Sequence, residues 1–146
     1  MTREELLQSA ARLKPVGSQA QQEYSRERNR LVDEINKRMS IRLDLTDLIG
    51  ENHLELMHDN HANHARFMES VFFDYSPEVL VNTILWVFRA YGARNFSTLY
   101  WAAQLNTWIT LYREELSAPC FEEIYPYYAW MQTHIPVFTE LSGNND

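Results

Sequence analysis

Ser76-Pro77-Glu78-Val79-Leu80-Val81-Asn82-Thr83-Ile84-Leu85-Trp86-Val87-Phe88-Arg89-Ala90-Tyr91-Gly92 is the stretch that decides the fold class. It opens with a serine cap, a proline at the first helical position and an acid in the first turn. It closes on a glycine, the usual helix stop. The β-branched residues inside it would also suit a buried strand. Its length favours a helix, because strands rarely run so far without a turn. Apolar residues appear on every side, so the sequence predicts that this is the central buried helix.

The same grammar extends in both directions. Thr2 and Glu5 have the spacing of a capping box, and the helix they open should stop before Pro15-Val16-Gly17. Ser18 is placed to cap a second helix, with Tyr24, Leu31, Ile35 and Met39 on one stripe of an otherwise charged surface. A short turn over 45–49 ends at Gly50, and a long helix runs from about His53 to Phe73. After Gly92, Asn95 or Ser97 starts a helix carrying Trp101, Leu105, Trp108 and Tyr112 at helical spacing. Ser117-Ala118-Pro119 reads as a break, and a last helix over about 121–141 contains Pro126 and Pro136, which should kink or split it. The expectation is an all-α single domain over 1–146, with six or seven helices packed as a globin-like or orthogonal bundle. Residues 1–17 form an N-terminal helix and linker that could pack loosely, and 142–146 a frayed tail.

Composition bounds what such a domain does. The net charge of −7 is uneven: residues 1–50 hold nine Lys and Arg against eight Asp and Glu, the remainder four against twelve. An acidic body is a poor match for phosphate backbones, and Arg26, Arg28, Arg30, Lys37, Arg38 and Arg42 are interleaved with acids as on a solvated helix face. No nucleic-acid partner is expected. No apolar run is long enough to span a bilayer, the charged N-terminus lacks the core of a secretory signal, and the one cysteine, Cys120, cannot form an internal disulfide. A cytoplasmic protein without a membrane partner is expected.

Four of the five histidines fall between His53 and His64. At about 100° per residue, Leu54, Met57, Ala65, Met68 and Phe72 share one helix face, with His61 at its middle and His64 on the same side. His58 and His53 sit at its borders, while Asp59, Asn60, Asn63 and Arg66 point away, towards solvent or a polar neighbour. Imidazoles on an apolar face need partners for one donor and one acceptor each. A backbone carbonyl or a tyrosine hydroxyl would serve, and eight tyrosines are available. A bound group would serve as well. One candidate is a small, flat hydrophobic ligand in a pocket formed by His58, His61, His64, Trp86, Tyr91, Trp101 and Trp108, with Phe88, Tyr112 and Trp130 as further wall candidates. Another is a metal ion held by His58, His61 and His64 with Glu55, or by His61, His64 and His134.

Chain length, helix count and a long histidine-bearing helix in mid-chain resemble the globin superfamily, including bacterial sensor globins and bilin-binding relatives of the phycobiliproteins. The resemblance implies a sensory or regulatory domain holding a tetrapyrrole, either bilin or haem, with His58, His61 or His64 near the distal position. Arg89, Ala90 and Tyr91 stand where a proximal histidine would fall, so it points to a bilin, a differently ligated haem or an empty signalling globin. Cys120 would be the attachment point for a bilin. A metal-dependent enzyme or metal-binding protein stays open as an alternative. So does a ligand-free interaction module that pairs with a second copy or a signalling partner through its N-terminal helices.

Overall fold

The computed structural model describes residues 1–143, and within them every regular element is an α-helix. Eight helices follow in order: α1 Arg3–Ala10, α2 Ser18–Ser40, α3 Leu45–Ile49, α4 Leu54–Phe73, α5 Pro77–Gly92, α6 Thr98–Glu115, α7 Ala118–Thr133 and α8 Ile135–Leu141. The count exceeds the sequence reading by one because the last segment divides at His134. Pro136 starts α8, where its missing N–H costs nothing, whereas α7 runs through Pro126. Pro119 likewise opens α7 rather than breaking the chain, with the Ser117 hydroxyl accepting from the Cys120 amide.

The cap signals act largely as read. The Thr2 hydroxyl accepts from the Glu5 amide, and the Glu5 carboxylate returns the bond to the Thr2 amide. Ser76 and Ser97 cap α5 and α6. Ser18, in contrast, is already helical; Gly17 precedes it, and its amide donates to Glu123 at 2.8 Å. Gly50 ends α3 at φ 80, a left-handed value that side chains resist.

α2 forms one wall, burying Tyr24, Leu31, Ile35 and Met39 against α4, α6 and α7. Each such side chain contributes about 1.5–3 kcal/mol on burial. The stripe is therefore consumed inside the domain, leaving no apolar face on α2 for a partner. Its charged face meets acids from the rest of the chain: Arg28 with Glu69, Arg30 with Glu115 and Arg38 with Glu114, at 2.7–2.8 Å. These pairs answer the uneven charge distribution along the sequence.

The N-terminal segment is packed. Leu6 and Ala10 are fully buried, and α1 rests on α5. The Tyr75 hydroxyl donates to the Ala10 carbonyl at 2.6 Å, and the Trp130 indole to the Ser9 hydroxyl at 2.9 Å. At the other end, Ser142 is buried and bonds to Thr139, while the rest of the expected frayed tail, residues 144–146, lies outside the described residues.

α5 is not the central helix. Val79 and Trp86 stand on its outer side, Trp86 62% exposed, and the helix leans on α1 and α8. α6 takes the central place, touching α2, α3, α7 and α8 and burying eight residues, Trp101, Leu105 and Trp108 among them. The all-round apolar pattern of α5 has a different cause: part of its surface borders a cavity.

Candidate functional site

α4 carries the histidines, and its two sides differ. His61 is wholly buried. Its Nδ1–H donates to the Asn36 side-chain oxygen on α2 at 2.7 Å, and its ring stands edge-on to Trp108 and parallel to Tyr100. Its Nε2 has no hydrogen-bond partner among the described residues, and neither does the buried Trp108 Nε1. Burial, with His64 and His58 nearby, pushes the His61 pKa down to about 3, so the ring is neutral.

His64 lies one turn on. Its Nε2 is 2.7 Å from the Tyr128 hydroxyl, which is 2.6 Å from the Tyr112 hydroxyl. Its ring stacks on Trp108 at 5.2 Å, and Trp108 stacks in turn on Tyr112 at 5.5 Å. Burial lowers its pKa to about 3 as well. The tyrosine hydroxyl foreseen as a partner from sequence is thus Tyr128.

A cavity of about 230 Å³ opens beside His64, between α4, α5 and α6. α4 supplies Asn60, Asn63, His64, Phe67 and Met68. α5 adds Thr83, Ile84, Trp86, Val87, Phe88 and Tyr91, and α6 adds Trp101, Gln104 and Leu105. Met131 and Phe138 complete it from α7 and α8. Phe88 and Trp101, both in the wall, stack on each other at 4.7 Å.

Of the sequence candidates, His64, Trp86, Tyr91, Trp101 and Phe88 meet at this cavity. The others do not. His61 and Trp108 are sealed behind its wall, and Tyr112 and Trp130 are core residues. His58 faces the opposite way, with Nε2 3.1 Å from the Ser40 hydroxyl of α2. The Ser40 hydroxyl donates to the Asn36 carbonyl and so receives the His58 proton. His53 and His134 bond to backbone carbonyls, Ile49 and Trp130, at 2.7 Å. Glu55 is exposed. His58, His61 and His64 therefore serve three separate partners, and among the described residues no three His, Cys, Asp or Glu side chains are grouped to hold a metal ion. The reason is angular: steps of three residues advance by about 300° and fan the rings across the helix.

Most of the wall escaped the sequence reading, Asn63 included: expected on the outer side of α4, it lines the cavity. Asn60 was assigned to the outer side, yet it is buried, with its Oδ1 accepting from Tyr100 at 2.8 Å and from Gln104 at 2.5 Å. Gln104 is a polar residue in register with Trp101 and Trp108. That is the same signal, a polar group on an apolar stripe, that singled out His61 on α4. Cys120 lies against the Ala20 carbonyl on α2, away from the cavity, and burial pushes its thiol pKa up to about 12. It is an unreactive core residue.

The fold and the cavity define a class: an all-α domain with a mostly apolar cavity between α4, α5 and α6. No protein family, curated protein or solved structure matches the chain, so the globin likeness rests on outline alone. Among the described residues no helix is long and apolar enough to cross a membrane.

Proposed function

We propose that this chain is a small-molecule-binding domain of the sensory or regulatory kind, holding a compact, largely apolar ligand between α4, α5 and α6. The observation that carries the reading is the cavity of about 230 Å³, apolar over most of its wall, with His64 and amide side chains along one side. Such a shape, apolar with a few convergent polar groups, is the usual form of a ligand site.

Tetrapyrroles fit less well. Sites for drug-sized ligands span roughly 300–1,000 Å³, so a bilin or haem would need the walls to part. His64 is the one histidine at the cavity, and Cys120 is too far inside the α2–α7 contact to attach a bilin.

Titration with 1-aminoanthracene, a neutral three-ring fluorophore, tests the reading. Saturable binding is expected, with energy transfer from Trp86 or Trp101. Val87→Trp, which fills the cavity from its rim, should abolish it. Absence of saturable binding, or binding that survives Val87→Trp, overturns the reading. Haemin and biliverdin in parallel, read by visible absorption, test the larger ligand.

One observation favours a second reading, an interaction module. Ile41 and Leu43, in the connection between α2 and α3, are 81% and 106% exposed. Apolar groups so placed often serve association. Light scattering on the purified chain and on Leu43→Ser tests this: a dimer dispersed by the substitution supports it, and a monomer in both counts against self-association.

A further inference from the structure

The polar residues of the cavity wall are Asn60, Asn63, His64, Thr83, Tyr91 and Gln104, and none of them carries a formal charge. In a chain where 23% of residues are charged, no Asp, Glu, Lys or Arg among the described residues lines the site. On this basis, and resting on the ligand-binding reading above, we propose that the cavity selects an uncharged molecule of two to three fused rings, bearing one hydroxyl-type group that bonds to His64 Nδ1.

Three physical arguments converge on that class. The first is size. A dry apolar cavity of about 150 Å³ accepts one benzene ring. The larger volume here, open on the Trp86 side, leaves room for two to three fused rings but not for a macrocycle. The second is polarity. An ion entering the site would give up hydration worth several kcal/mol and meet no charged side chain in the wall itself, the Arg66 guanidinium being engaged by Asn63 at the margin. His64 does not supply one, since its burial keeps the ring deprotonated at neutral pH.

The third is the hydrogen-bond arrangement. His64 Nε2 is tied back to Tyr128, which does not line the cavity. Nδ1 is then the polar atom of the ring left to meet a ligand. The Tyr128–Tyr112 pair behind it and the Trp108 face beneath it fix the imidazole in place. A hydroxyl both donates and accepts, so it satisfies Nδ1 in either tautomer. Trp86, Phe88, Tyr91 and Trp101 line the cavity, so a fused ring meets aromatic neighbours.

The first arm of the test needs no variant. Naphthalene, 2-naphthol, 2-naphthoate and 2-naphthylmethylammonium share one ring system and differ in the single group. Each competes with bound 1-aminoanthracene at pH 7. The naphthol is expected to bind about tenfold more tightly than either ion, and several-fold more tightly than naphthalene. In His64→Phe its advantage over naphthalene should vanish, while naphthalene itself still binds. An ion that competes within threefold of the naphthol overturns the inference, as does a naphthol no better than naphthalene. Both results leave the ligand-binding reading standing if 1-aminoanthracene binds. Failure of 1-aminoanthracene to bind removes both.

Discussion

His61 and His64 stand one turn apart on the same helix, and the structure gives them opposite surroundings. His61 points into the seam between α2, α4 and α6, where Asn36 takes its one proton and aromatic rings close the remainder. His64 is held from behind by Tyr128 and looks onto the cavity. The first position locks two helices together; the second presents a polar edge to whatever enters. A histidine on an apolar helix face is therefore not one kind of signal. What it does depends on whether the helix opposite is in contact or stands off.

Acid should break both positions at once, and it carries the largest expected effect. Both rings have folded-state values near 3, against an ordinary 6.5 when unfolded. Below 6.5 the unfolded chain binds protons that the folded chain refuses. Stability is thus complete above that value and falls as the pH drops towards 3, by about 1.4 kcal/mol per pH unit for each ring. Urea midpoints at pH 7, 6 and 5 check this. His61→Leu and His64→Leu should each remove one proton's share of the slope, and an unchanged slope would count against buried neutral rings.

Side-chain removal separates the two. His61→Ala leaves a void and an unpartnered Asn36 oxygen, and should cost about 3 kcal/mol in urea unfolding. His64→Ala enlarges a cavity that already exists, so about 1–2 kcal/mol is expected. Equal losses would erase the distinction drawn here. A double-mutant cycle sharpens it: Asn36→Ala with His61→Ala should show coupling of about 1 kcal/mol, and Asn36→Ala with His64→Ala close to none. Tyr128→Phe should cost about 1 kcal/mol through the lost hydroxyl pair, with little change in 1-aminoanthracene affinity. The smallest effect belongs to Trp86, whose exposed ring should be replaceable by Ala within about 0.5 kcal/mol.

The helices themselves were legible because their signals are local. Thr2, Ser76 and Ser97 cap, Gly50 stops, and the apolar spacing of α2 and α4 names their buried sides, except that Leu54 at the start of α4 is exposed. His61 stood out because burial of an imidazole contradicts its neighbours. The role of α5 was misread for an equally physical reason. An apolar surface facing solvent, a core or a cavity has the same composition, and only the position of other helices tells them apart.

The amino-acid order alone determined an all-α chain, most of the places where its helices begin and end, and the inward turn of His61 on α4, since caps and periodicity act within a few residues. Packing across tens of residues decided the rest: that α6 rather than α5 is central, that Asn36 and Tyr128 answer the two histidines, and that a cavity opens beside only one of them. Those contacts join residues separated by 25 and 64 positions. No local pattern encodes such pairs; they exist only once whole helices have settled against each other.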